Sequence, residues 1–280
     1  SSLVDDRGNL RDGLLARRAG ELVAALRRGH RPVLVSSGAV ACGLSRLGMT
    51  PRPGAIEDLQ AASAVGQGVL YPRWSASFAH HEVTTAQVLL TSQDLDRRAS
   101  YLNARATLER LLEMGAVPVI NENDTTATDE LTFGDNDVLA AQVAILLGAG
   151  ALYLLTDRDG LYGGDASDPH RIEEIAADTP VSEIELADMG GSVRGRGGIA
   201  SKIASARMAT AAGIDCVIAS GREDGVLDDL LAGTARGTRF LPGARREGAF
   251  KLWLRHAKPA MGRVTVDAGA ARALAERGTS

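Results

Sequence analysis

An open α/β fold, doubly wound around a mainly parallel sheet with helices on both faces, is what this sequence of 280 residues predicts. Three observations carry that expectation. Short apolar runs alternate with amphipathic helical stripes along most of the chain, which is the pattern of successive βα units. The runs end on a small or polar residue, at Ser36, Asn121, Thr156 and Ser220, which places those residues along one sheet edge. Between two strongly apolar elements lies Asn121 to Asp137 (NENDTTATDELTFGDND), with four Asp, two Glu and three Asn. A polar loop between a buried strand and a helix lies at the carboxyl edge of the sheet, where open α/β folds bind ligands. An isolated acidic loop reads as solvated surface. Here Asn121–Asp124 and Asp135–Asp137 each abut an apolar element, and that marks a site.

The elements follow in order. Leu15, Ala19, Leu22, Val23 and Leu26 form a helical stripe over Leu14 to Arg28, with Gly29 placed as the residue after the C-cap. Pro32 to Val35 reads as a short buried strand, followed at once by Ser36-Ser37-Gly38-Ala39-Val40-Ala41-Cys42-Gly43. Small residues between a strand and a helix offer backbone N–H groups to an anion, and they also suit tight turns for steric reasons. Pro51 to Gly54 is a turn, and Asp58 to Leu70 an Ala-rich helix carrying Gly66-Gln67. His80-His81 is read as surface ahead of a strand at Thr85 to Leu90, and Leu102 to Met114 as an amphipathic helix closed by Gly115.

Ala116 to Ile120 is the buried strand that feeds the acidic loop, and Val138 to Leu147 the helix that leaves it, with Asp135 and Asn136 at its N-cap. Ala151 to Leu155 is a strand ending in Thr156-Asp157, after which Asp159 to Asp165 turns over the surface. The polar span from Asp165 to Asp188 is predicted as a loosely helical insertion, with Ser182 and Glu185 at capping-box spacing. Gly190 to Gly198 (GGSVRGRGG) is predicted to be a flexible loop that delivers Ile199-Ala200-Ser201-Lys202 to the first turn of a helix reaching Ala212. A glycine-rich loop, a helix N-terminus and a lysine together suit a polyphosphate, although the spacing is not that of a P-loop. Cys216 to Ala219 is a further strand. Beyond Gly233 the basic residues Arg245, Arg246, Lys251, Arg255, Lys258 and Arg263 crowd a segment broken by Gly and Pro, read as a linker, and Val264-Thr265-Val266 opens a new unit.

Composition narrows the function classes. At 29.2 kDa the chain can bury a large core, and 45% hydrophobic with 24% charged residues is the balance of a soluble globular protein. No run is long and apolar enough to span a membrane, and no signal-peptide pattern opens the sequence. Cys42 and Cys216 lack CxxC spacing and read as reduced, buried thiols of a cytoplasmic protein. A net charge of −4 argues against general nucleic-acid binding and means that an anionic substrate must be held by local groups. Lysine is rare: of 31 basic residues only Lys202, Lys251 and Lys258 are lysines. A lysine kept in that background points to a need for a compact charge that arginine's planar fork does not reproduce.

The motifs VSSGAVACG, INENDTTAT, FGDNDVLAA, LLTDRDGLY and GGIASK, in this order and spacing, resemble the amino acid kinase family, and within it the branch that phosphorylates glutamate. The resemblance runs from Ser1 to about Lys258. It implies an α/β/α sandwich, a kinase domain over residues 1–258, and the opening of a PUA-like domain, cut short, over residues 259–280. It implies transfer of the γ-phosphoryl of ATP to the γ-carboxylate of L-glutamate, with Mg²⁺, at the start of proline biosynthesis. By matching motif, Ser37, Gly38, Asp124 and Asn136 resemble the glutamate contacts. Thr156, Asp157 and the run Arg196, Gly197, Gly198, Ile199, Ala200, Ser201 and Lys202 resemble the ATP-binding elements. Lys202, Asp137 and Asp135 are the expected catalytic residues, the two aspartates organising Mg²⁺, Lys202 or the substrate ammonium, and no protein metal site is assigned. A homo-oligomer, dimer or tetramer, and proline as feedback inhibitor complete what the resemblance implies.

Two departures stand out. Arg196 replaces the threonine usual in that loop, and the family's opening strand, with its lysine and phosphate loop, is missing ahead of Ser1. The expectation is that the natural chain extends upstream by about ten residues, a strand plus its turn, and that a chain starting at Ser1 is poorly soluble and nearly inactive. Two other readings remain: a relative acting on another carboxylate or on carbamate, and a non-catalytic amino-acid sensor or RNA-binding relative. The paired NEND and GDND elements weigh against the first, and the retained Lys202 and full acidic loop against the second.

Overall fold

The computed structural model describes residues 3–5, 7–127, 136–165, 167–177, 179–180, 184, 186–187, 193–243, 265–267 and 269, with backbone alone over 193–197. The chain runs α1 (Asp12–Arg27), β1 (Leu34–Val35), α2 (Ala39–Arg46), α3 (Ile56–Ala79), β2 (Thr85–Leu90), α4 (Ser92–Asp96), α5 (Arg98–Glu113), β3 (Val117–Glu122), α6 (Asn136–Leu147) and β4 (Ala151–Thr156). It continues through β5 (Leu161–Gly163), β6 (His170–Ile172), β7 (Glu174–Ile175), α7 (Val193–Ala211), β8 (Asp215–Ser220), α8 (Val226–Ala232) and β9 (Gly237–Phe240).

The α/β architecture and its mainly parallel pairing are as expected. β1 and β2 flank β3, both parallel to it, and β4 runs parallel to β8. Alternate residues of the central strands face opposite helical layers, as a strand covered on both sides requires. Val117 and Val119 pack with Leu15 and Ala19 of α1 and Trp74 and Phe78 of α3, whereas Ile120 packs with Leu108 of α5 and Leu139 and Val143 of α6. Cys216 and Ile218 likewise meet α6 and α7, while Val217 and Ala219 meet α8. Pro118 sits in the middle strand without loss of a ladder bond. Val117 N–H donates to Thr84 O on the β2 side, so position 118 faces β1, and β1 begins pairing only at Val119.

The single sheet expected from the sequence is divided among the described residues. One sheet has the order β1-β3-β2, a second β4-β8-β9-β7 with β9 antiparallel to β8, and β5-β6 is a separate hairpin. The outer edges of β1 and β4 border the same cleft, whose walls include Val33, Val35, Tyr153 and Leu155.

Several local expectations are corrected. α3 does not stop at Leu70 but continues past Pro72 to Ala79. Pro72 forgoes one helical hydrogen bond, yet Trp74 and Phe78 beyond it are fully buried, and that packing carries the helix through. Among its described residues, the span from Asp165 to Asp188 forms strands and not a helical insertion. His170–Ile172 pairs with Leu161–Gly163, and Glu174–Ile175 joins β9 from the far side of the sequence, with Ile175 buried beside Phe240. Non-local strand pairing overrides the Ala/Glu-rich local preference there. The capping-box pair Ser182 and Glu185 lies outside the described residues, as do Asp135 and the basic residues from Arg245 to Arg263.

The described part of the Gly190 to Gly198 loop, from Val193, is corrected as well. α7 starts at Val193, so Lys202 sits well inside a helix and not in its first turn. Glycine costs roughly 1 kcal/mol per helical position. Once the downstream turns are nucleated by packing of Ile203, Ala206 and Ala209, however, each added residue gains a hydrogen bond without a new nucleation cost. Helix ends elsewhere follow the sequence: Gly29 (φ 92°) and Gly115 (φ 74°) adopt the left-handed conformation. In each case the glycine N–H and the next N–H close back on the last turn, the arrangement a Cβ would strain.

Candidate active site

The carboxyl ends of β1, β3 and β4 open into a cleft of about 2070 Å³. β1 delivers Ser36, after which Gly38, at φ 107°, turns the chain into α2. Its N-cap, Gly38, has no side chain with which to cap, and Ser37 to Ala41 line the cleft, so the helix N-terminus faces it. β3 carries the chain to Asn121 and Glu122, one residue pair further than the apolar run alone indicates. The following turn, closed by Thr126 and Ala127 N–H on Asn123 O, sets Asp124 into the wall. Asp124 is only 6% exposed, and its carboxylate accepts a hydrogen bond from the Ser63 hydroxyl. Burial pushes its carboxyl above the ordinary value, with the Ser63 bond opposing that shift.

Across the cleft, Asn136 and Asp137 open α6. Asn136 is its first helical residue, not a cap outside it. Its side-chain oxygen accepts from Glu122 N–H at 3.3 Å, alongside Asn121 Oδ1 at 2.9 Å, so the β3 end and the α6 start are joined. Asp137 Oδ2 holds Lys202 Nζ of α7 at 2.6 Å, both side chains being largely buried. β4 contributes Thr156 and Asp157. The Thr156 hydroxyl donates to Asp157 Oδ1 at 3.0 Å, and Gly221 N–H donates to Thr156 O. Burial raises the Asp157 carboxyl, but the Thr156 bond, its own backbone, Arg222 and Arg158 outweigh it and leave the group below the ordinary value.

The cleft therefore brings together Ser37, Gly38, Asp124, Asn136, Asp137, Thr156, Asp157 and the run from Gly198 to Lys202. Of the remaining expected residues, Asp135 is outside the described residues, and Arg196 and Gly197 are defined only as helical backbone. The helical state of this segment changes its chemistry. Backbone N–H groups beyond the first turn are spent on intrahelical bonds, so the anion affinity of α7 at this point rests on Lys202. Asn121 Nδ2 and Ser201 Oγ are buried without a hydrogen-bond partner among the described residues, and both residues border the cleft. Unsatisfied buried polar groups on a cleft wall fit a polar ligand.

The sequence places a helix at Asp58 to Leu70 but gives no role at the cleft to its side chains, which the structure supplies from α3. Gln60 Nε2 donates to Ala127 O at 3.2 Å, Ser63 to Asp124, and Trp74 Nε1 to Ser36 Oγ at 2.9 Å. The available signal was a row of polar or amphipathic residues, Gln60, Ser63, Gln67 and Trp74, at helical spacing on an otherwise Ala-rich helix.

One strand-end cleft of this open α/β protein thus gathers a helix N-terminus, amide and carboxylate side chains and a lysine. The chain belongs to the amino acid kinase family, whose profile matches residues 1–220. It is similar to the glutamate 5-kinase of Paraburkholderia xenovorans strain LB400, 47% identical over 283 aligned positions that cover 100% of this chain and 76% of that protein. The glutamate 5-kinase of Streptomyces avermitilis is 47% identical over 272 positions, 95% of this chain and 72% of that protein. The one of Pseudomonas aeruginosa strain PAO1 is 48% identical over 259 positions, 91% and 69% respectively. Among solved structures, an isopentenyl phosphate kinase substrate complex superposes with a TM-score of 0.54 at 15% identity, covering 85% of this chain and 95% of that one, which shows the shared fold.

Proposed function

We propose that this chain transfers the γ-phosphoryl group of ATP to the γ-carboxylate of L-glutamate, giving L-glutamyl 5-phosphate and ADP, the first step of proline biosynthesis. Relatives named glutamate 5-kinase, near 47% identity over almost the whole chain, support the substrate. The observation that carries the chemistry is the Lys202–Asp137 pair at 2.6 Å, which lines the same cleft as Asp124, Asn136, Thr156 and Asp157. A glutamate carboxylate oxygen attacks the γ-phosphorus, a new P–O bond forms, the bond to the β-phosphate bridging oxygen breaks, and ADP leaves with that electron pair. The carboxylate is already a nucleophile near neutral pH, so no strong general base is required. The protein's part is positioning and charge neutralisation. Lys202 meets the negative charge of the transferring group, and Asp137 fixes its ammonium in place. Ser37, Gly38, Asp124 and Asn136 hold glutamate, and Thr156, Asp157 and the Arg196–Lys202 segment hold the nucleotide.

Mg²⁺ belongs to this reading as a cation carried on the nucleotide, with Asp137 and Asp135, the latter outside the described residues, as the carboxylates that would organise it. When bound, it neutralises charge on the phosphate oxygens. A homo-oligomeric enzyme of the cytoplasm, a kinase domain over residues 1–258 and feedback by proline complete the reading. The test is ADP release with Mg·ATP and L-glutamate, with the acyl phosphate trapped as its hydroxamate by hydroxylamine. Faster turnover with aspartate or carbamate would replace glutamate as the substrate.

A further inference from the structure

One helix grips both halves of the acceptor side of the cleft. Ser63 of α3 is 1% exposed, in mid-helix, where a serine hydroxyl commonly bonds back to its own helix. Here it donates instead to Asp124 Oδ2, sixty-one residues away in sequence. One turn earlier, Gln60 binds Ala127 O, at the far end of the same turn, and further along Trp74 binds Ser36 beside Ser37 and Gly38. The helix has no slack with which to shift. A Cβ on Gly66 would lie 1.7 Å from Ala39 O of α2, and one on Gly43 1.6 Å from Ala62 O of α3. Backbone thus meets backbone between α2 and α3, and a displacement of either moves both the Ser36–Gly38 loop and the Asp124 turn.

We propose that Ser63 is a positioning residue for the acceptor substrate: its hydroxyl fixes the buried Asp124 carboxylate, through Oδ2, in the orientation that receives the amino acid. The proposal rests on the reading of Asp124 as an acceptor contact. Among the described residues, Asp124 Oδ1 carries no hydrogen bond, so one oxygen is anchored and the other is available to a cation such as a substrate ammonium. The charged side chains sharing the cleft wall with Asp124 include Arg52, Asp137 and Lys202. Among the described residues none of them governs the Asp124 carboxyl, which burial holds above its ordinary value and the Ser63 bond lowers. Removing the hydroxyl therefore has two consequences. The carboxylate loses its anchor, and its protonation moves to higher pH, so the ionised form that an ammonium requires becomes scarcer on the acid side.

The test uses the full chain with Ser63→Ala, Ser63→Thr, Asp124→Asn and the double variant. Ser63→Ala is expected to raise the KM for glutamate on the order of tenfold or more, as loss of a hydrogen bond to a charged group does, with kcat and the KM for ATP within a few-fold. Its acid limb of kcat/KM should move to higher pH, and Ser63→Thr, which keeps the hydroxyl, should restore most of the loss. In the Asp124→Asn background the same Ser63→Ala change should add little, because Ser63 acts through Asp124. A merely structural role would instead persist in that background and appear as a lowered melting temperature. Carboxyl ¹³C NMR of Asp124 supplies a readout independent of turnover: its titration should shift upward in Ser63→Ala. An unmoved titration with an unchanged KM would overturn the proposal. Absence of turnover by the parent chain would instead overturn the glutamate reading, and the NMR shift would still decide whether Ser63 sets the carboxylate.

Discussion

Lys202 and Asp124 are the residues to which the proposed reaction gives the most different tasks. Lys202 shares its charge with Asp137 at rest; in the proposed reaction the negative group it would meet grows during phosphoryl transfer, so its contribution would be largest in the transition state. Lys202→Ala should lower kcat roughly 10²–10³-fold while changing the KM for glutamate much less; steady-state kinetics with both substrates varied would measure the split. A kcat within a few-fold of the parent would remove Lys202 from the chemistry. Asp124 makes a prediction about stability. Its carboxyl sits above the ordinary value of 3.8, so between 3.8 and the raised value the folded chain binds more protons than the unfolded one. Stability from this group therefore falls as pH rises through that window and stays lowered above it. Asp124→Asn should melt at a higher temperature than the parent at pH 7, with the gap closing below about pH 4, even as glutamate binding weakens. Calorimetric melts across that range test the sign.

Among the elements, the α2–α3 contact is the most demanding. Gly43 and Gly66 let two helices meet backbone to backbone, and no side chain, not even a methyl, fits at either place. Gly66→Ala should cost roughly 1–3 kcal/mol by overpacking and, by displacing the Ser36–Gly38 loop, should raise the KM for glutamate. Gly68 on the same helix is the control. It is exposed, and an added Cβ meets nothing within 4 Å. Gly68→Ala should be neutral or stabilise the chain by up to about 1 kcal/mol through helix propensity. Equal effects of the two substitutions in denaturant melts would contradict the packing account.

On the scale of the whole molecule, the division of the sheet has a measurable consequence. A strand residue points its N–H and C=O to the same side. Ser36 N–H bonds to Ile120 O, so Leu34 faces β3 and Val35 faces the cleft. Gly221 N–H bonds to Thr156 O, so Leu152 and Leu154 face β8 while Tyr153 and Leu155 face away from it. Among the described residues no strand pairs with those outer edges. Native-state hydrogen exchange should show the amides of Val35, Tyr153 and Leu155 exchanging much faster than those of Leu152, Leu154 and Ile218, which lie in paired registers. Equal protection on both sides of β4 would mean that its cleft edge is paired in solution. No helix of the described residues is long and apolar enough to cross a membrane.

What the sequence alone determined was local and periodic. The stripes of α1 and α5, the runs of β3, β4 and β8, and the glycines after α1 and α5 are each dictated by neighbours within a turn or a strand, where periodicity and φ restrictions act directly. The NEND and GDND motifs were legible because so many acids and amides between two apolar elements have few other uses. The tertiary structure decided what depends on distant partners. β6 and β7 exist because Leu161–Gly163 and β9 supply the other half of their ladders. α3 passes Pro72 because the core beyond it holds Trp74 and Phe78. α7 takes in the glycines that a local reading makes a loop. Above all, Ser63 and Trp74 meet the cleft only because α3 packs where their side chains reach Asp124 and Ser36. Such contacts join residues far apart along the chain, and no spacing within a single element encodes them.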